Sequence, residues 1–229
     1  MNIKIIITVF LLLLLGLVFF YMKNTGNNTQ TEQQNNAQEI SKTSMNSIQT
    51  AGAFEVLVSA SNITWTAGKP NIIGYQHNGT MTLKEGTLNF NDSAITGAFT
   101  IDMTQLKVTS LGGGKAGNES RLESHLKTGD FFNVEAYPES RFVISQTKKE
   151  SDGSYTVTGN LTMKNITNEI TFPANISEND TGVILEAEFS IDRTKWDITF
   201  GSASFFDNLA ENAIGDEVTL KLEIKATKE

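Results

Sequence analysis

The chain has 229 residues, no cysteine and a formal net charge of −8 at pH 7. The lack of cysteine excludes disulfides, thiolate metal sites and a cysteine nucleophile. An acidic protein is a poor match for nucleic acid, whose phosphates are met by Lys and Arg patches, so no nucleic-acid partner is expected.

In chain order, the first feature is an uncharged apolar run from Ile5 to Met22. It is long enough to cross a bilayer as a helix. Phe19, Phe20, Tyr21 and Met22 stand where a secretory signal carries small residues before its cleavage site. Residues 1–22 are therefore expected to form a membrane anchor, with a cleaved signal as the alternative. The bulk of the chain is expected outside the cytoplasm. Residues 23–51 are rich in Asn, Gln, Thr and Ser and nearly free of large apolar groups. Such a stretch cannot bury enough surface to offset the entropy of ordering, and it reads as a disordered polar tether. Removing the three lysines and two glutamates of residues 1–50 leaves 15 basic and 24 acidic residues, a net charge near −9.

From residue 52 to the end, apolar residues recur every second position. "AITGAFTIDM" aligns Ile95, Phe99, Ile101 and Met103, and "EITFPANI" aligns Ile170, Phe172, Ala174 and Ile176. "GVILEAEFSID" places Val183, Leu185, Ala187, Phe189 and Ile191 on one face, opposite Glu186, Glu188, Ser190 and Asp192. "EVTLKLEIKAT" repeats the pattern with Val218, Leu220, Leu222, Ile224 and Ala226. "AFEVLVSASNITWTAG", "TMTLKEGTLNF", "SRFVISQ" and "SYTVTGNLTM" are looser versions. A period of two with one wet face predicts half-buried antiparallel strands. Asp152-Gly153, Lys164-Asn165 and Gly86 are read as turns between them. Only Asn118 to Lys127, with Leu122 and Leu126 four apart, reads as helix. The fold class is all-β, and two packed sheets or one closed barrel both satisfy the pattern.

Chemistry-bearing motifs are few. His77 and His125 are the only imidazoles, and neither sits in a metal-ligand or hydrolase motif. "SLGGGKAGNES" lacks the spacing of a phosphate loop and reads as a flexible turn. His125 near Glu123 and Asp130 is the one acid–base candidate. The plainer reading is a histidine hydrogen-bonded within a lid. No enzyme activity, cofactor or metal is expected.

"NESRLESHLKTGDFFNVEAYPESRFVIS" resembles the YceI-like family of polyisoprenoid- or lipid-binding periplasmic proteins. Arg121, His125, Leu126, Asp130, Phe131, Phe132, Tyr137, Pro138 and Phe142 carry the likeness. "YTVTGNLTMKNITNEITFPANI" and "SIDRTKWDITFGSASFFDNLAENAIGDEVTLKLEIKA" extend it, whereas "LVSASNITWTAGKPNIIGYQHNG" departs from the family pattern. The resemblance spans residues 52–229. It implies a lipocalin-like antiparallel β-barrel of about eight strands with one short inserted helix. It also implies a long-chain isoprenoid or other lipid as partner, held inside the barrel. The residues expected around that ligand are Arg121, His125, Leu126, Phe142, Ile144, Leu161, Met163, Phe172, Leu185 and Phe189. Phe131–Phe132 and Phe205–Phe206 are expected to close the mouth, one ring of each pair facing inward. The competing expectation is a packed barrel serving as a structural or interaction domain of the cell envelope.

Overall fold

The structure is a computed structural model, described here for residues 51–91, 94–113 and 117–228. The expected anchor and nearly all of the tether lie outside these residues. Among the described residues, no helix is long and apolar enough to cross a membrane.

Nine strands form one sheet: β1 (Gly52–Val56), β2 (Asn62–Gly68), β3 (Gln76–Phe90), β4 (Ile95–Leu111), β5 (Glu139–Lys149), β6 (Tyr155–Met163), β7 (Ile166–Asn179), β8 (Gly182–Asp192) and β9 (Glu217–Lys228). From β3 to β9 each strand pairs antiparallel with the next in sequence. Closure comes from the first two strands, which share one position. In β1, Phe54 pairs with Leu88 of β3 and Lys228 of β9. In β2, Trp65 pairs with Gly79 of β3 and Leu220 of β9. A single 3₁₀ turn at Val58–Ala60 interrupts this stave. Ser61 there donates its hydroxyl to the Leu57 carbonyl at 2.9 Å. The result is an eight-stave, closed antiparallel barrel with, among the described residues, one α-helix, α1 (Glu119–Leu126), as expected.

Local chemistry explains the connections. Lys164 and Asn165 both adopt left-handed backbone (φ 49° and 60°) and join β6 to β7, with Met163 paired to Ile166. Two such residues give a hairpin turn whose twist matches the strands. Asp152-Gly153 turns β5 into β6, with Gly153 at φ 90°. Gly86 corrects the sequence reading, because it lies inside β3 instead of ending it. A Cβ there would stand 2.9 Å from both Phe99 and Val56. Gly86 thus admits a close approach beside a register shift between Leu83 and Glu85.

The two ends of the barrel differ. At the end holding β1, connections are short and the interior is filled. Phe54 meets Phe90 edge to face at 5.1 Å, and Leu88, Val157 and Val183 are all but inaccessible. At the other end run the long connections 112–138, which contains α1, and 193–216. Truncation should therefore cost different amounts at the two ends. Leu88→Ala removes atoms packed on every side and should lose about 3 kcal/mol of stability. Leu161→Ala removes atoms that already border open space, and the loss should be roughly half as large. Chemical denaturation of the two variants measures the difference.

Candidate ligand cavity and its rim

Inward side chains stop short of filling the barrel above the β1 end. The space they leave has a volume of about 320 Å³, within the range of small-molecule sites and well beyond an ordinary packing void. Its floor is Ile144, Val157, Leu185 and Ile224. Aromatic rings form one wall: Phe172 stacks on Phe189 at 4.0 Å and packs tilted against Phe142 at 5.6 Å, which stacks on Phe99 at 6.4 Å. Leu220, paired with Phe189, continues the lining to Trp65 and Ile63 of β2. Leu122 and Leu126 of α1 line the upper part, which explains why the helix is apolar on one side only.

Ten of the fourteen residues expected around a ligand line this cavity: Leu126, Phe131, Phe132, Phe142, Ile144, Leu161, Met163, Phe172, Leu185 and Phe189. Four do not. Arg121 points to solvent from the outer side of α1. His125 lies just outside, its Nε2 2.9 Å from Asp130 Oδ2 and its ring edge-on to Phe131 and Phe200 at 5.1 Å each. Glu123 turns away from it to Lys107 and Lys127. Burial opposes ionisation of Glu123, but bonds from Lys127, Lys107 and the Val108 amide outweigh it and hold the carboxyl below its usual range. The three groups therefore do not converge, and His125 has the geometry of a lid residue.

Phe205 and Phe206 are the clearest correction. Both are at least half exposed. Their amides donate to the carbonyl of the buried Ser202, which winds residues 202–206 into a tight turn with both rings outside. The two phenylalanine pairs are therefore not equivalent. The Thr128 and Leu126 carbonyls accept from Phe131 and Phe132 and fold that pair inward.

Arg193 organises the rim. It is 5% exposed and donates to the carbonyls of Ile198 (2.6 Å), Gly215 (2.9 Å) and Ile214 (3.2 Å), with Asp216 Oδ1 at 3.5 Å. Burial lowers its pKa, and Asp216 and Asp192 oppose that effect. Trp196, fully buried, donates its indole N–H to the Leu161 carbonyl at 3.0 Å and fixes the same connection to β6.

Sequence reasoning missed Trp65 and His77, in the stretch that departs from the family pattern. Both line the cavity, and Trp65 Nε1 and His77 Nδ1 are buried without a hydrogen-bond partner. Burial lowers the His77 pKa below 6.5. The Gln76 carbonyl pulls the other way without reaching hydrogen-bond geometry at Nδ1, and Lys69 adds to the lowering. The sign follows from linkage. A depressed folded-state pKa means that the unfolded chain binds the proton first, so stability is intact above pH 6.5 and falls as pH drops through the folded value. Denaturation midpoints measured between pH 7 and 5 should fall in the native protein and fall less in His77→Gln.

The family model described as the YceI-like domain matches residues 54–226. A UPF0312 protein of Pseudomonas putida is 36% identical over 94 residues, 41% of this chain and 46% of the relative. One from Staphylococcus aureus is 39% identical over 95 residues, 38% of this chain and 51% of the relative. These alignments span about half the length of the relatives. Among solved structures, Burkholderia cenocepacia BcnA superimposes with a TM-score of 0.59 at 20% identity, covering 75% of this chain and 99% of BcnA. A polyisoprenoid binding domain from Saccharophagus degradans gives 0.53 at 10% identity, covering 79% of this chain and all of that domain. With a barrel of this topology and a family match across nearly all of it, the chain belongs to the YceI-like domain family.

Proposed function

We propose that the barrel binds one slender apolar molecule, an isoprenoid or another long-chain lipid, and carries or stores it without altering it. The observation behind this reading is the open space above the barrel floor, walled mostly by Leu, Ile, Met and Phe. Burying a chain against such walls yields about 0.8 kcal/mol per methylene, so affinity needs little polar chemistry. The polyisoprenoid binding domain among the structural relatives supports the choice of ligand class. The separation of His125 from Glu123 supports binding over turnover. In this reading residues 1–22 anchor the chain in a membrane, and the barrel works outside the cytoplasm, where it would meet lipid.

The test is organic extraction and mass spectrometry of protein purified from its own membranes, beside a variant with the cavity filled. Leu161→Phe combined with Leu222→Phe adds bulk where open space exists, so little strain is expected. The variant should keep or raise its thermal midpoint and lose most of the co-purified lipid. A lipid-free native protein, with the filled variant unchanged in every respect, would instead favour the packed structural domain.

A further inference from the structure

Trp65 and His77 together leave a polar gap in an otherwise apolar wall. Trp65 pairs with Gly79 across β2 and β3, and Ala67 pairs with His77. Residues opposite one another in an antiparallel pair share a face, so Trp65 and His77 are diagonal neighbours on the inner side. Diagonal neighbours lie roughly 7–8 Å apart, close enough for two long rings to meet one small group. The indole is held flat over β3 because position 79 is glycine. A Cβ there would collide with the Cε2 and Cζ2 edge of the indole and with the Lys107 carbonyl. Tyr75 packs against the other ring of the pair, its centroid 4.8 Å from that of His77. Both rings are thus positioned, yet Trp65 Nε1 and His77 Nδ1 have no partner. Trp65 is 6% exposed, so water does not reach its N–H freely. Trp196 shows the contrast, since its indole N–H is bonded to Leu161. A buried donor left unpaired is costly and calls for a partner that the protein itself does not supply.

Resting on the lipid-binding reading above, we propose that Trp65 and His77 seat the polar end of the ligand, an uncharged oxygen such as a hydroxyl or carbonyl terminating the apolar chain. The indole N–H donates to that oxygen. The imidazole Nδ1 accepts from a hydroxyl, or in its other tautomer donates to a carbonyl. A charged terminus fits less well. Arg193, the buried cation of the lining, is already committed to three carbonyls and Asp216. Lys69 lies at the rim over the Tyr75 ring (5.2 Å), near Asn212. Burial and the nearby Lys69 both disfavour a second proton on His77, so the imidazole itself offers an anion no charge.

The probes are geranylgeraniol, its matching hydrocarbon and geranylgeranyl phosphate, bound to the full-length chain in zwitterionic micelles. Comparing each probe between native protein and variants cancels its partition into the micelle. The alcohol should bind the native protein about tenfold better, relative to Trp65→Phe, while the hydrocarbon is indifferent to that change. His77→Phe should show the same selective loss. Nitrogen-15 NMR gives a check that needs no variant: of the two indole N–H signals, that of Trp65 should shift downfield with the alcohol and not with the hydrocarbon, while that of Trp196 stays put. Equal effects of Trp65→Phe on alcohol and hydrocarbon, with a static Trp65 signal, would overturn the seat and leave the lipid-binding reading standing. A phosphate that binds best and shifts Trp65 most would overturn the uncharged terminus. Failure of all three probes would overturn both readings.

Discussion

Closure of the sheet is the constraint from which the rest follows. Once the β1/β2 stave pairs with β3 on one side and β9 on the other, the sheet closes on itself, although β4 beyond Asp102 runs past β5 and β7 before Ala174 runs past β8. The circumference is then fixed near eight strands, where side chains can just fill the interior or leave room for one narrow ligand. Which of the two occurs is decided level by level. Near β1, Phe54, Leu88 and Phe90 pack side by side on paired strands and are buried. Higher up, the rings of Phe142, Phe172 and Phe189 stack along the wall instead of reaching across, and about 320 Å³ stays open.

The long connections inherit their positions from that geometry. The break at Val58–Ala60 lets one stave bend while both its neighbours stay paired. Above the opposite end, α1 lays Leu122 and Leu126 over the cavity, and the loop after it turns Phe131 and Phe132 in. The 193–216 connection holds its shape through one guanidinium, because Arg193 satisfies carbonyls that would otherwise be stranded near an apolar space. Its outer surface leaves Phe205 and Phe206 exposed, and Phe200 exposed edge-on to His125.

The barrel was legible in the sequence because alternation is a local signal. Val183 to Ile191 and Val218 to Ala226 state their inner faces without reference to anything distant, and both strands appear where the pattern put them. Among the lining residues, Phe172, Leu185 and Phe189 were legible for the same reason, whereas Leu126, Phe131 and Phe132 stood out only through the family resemblance. What failed depends on partners far away in the chain. Gly86 looks like a turn until Phe99 and Val56 are seen pressing on it. Two Phe-Phe pairs look alike until Ser202 turns one of them outward. Trp65 and His77 carried a readable signal, since Trp65 shares the period of Ile63 and Ala67. Their missing hydrogen bonds, however, are a property of the assembled wall.

On the reading proposed above, the space above the floor belongs to an apolar chain. A high-resolution crystal structure of protein purified from its own membranes tests it most directly. Continuous density for a slender molecule should run from Trp65 and His77 down to Val157, Leu185 and Ile224. Ordered water alone in that space, or Phe142 and Phe172 rotated inward to close it, would rule out a bound lipid there.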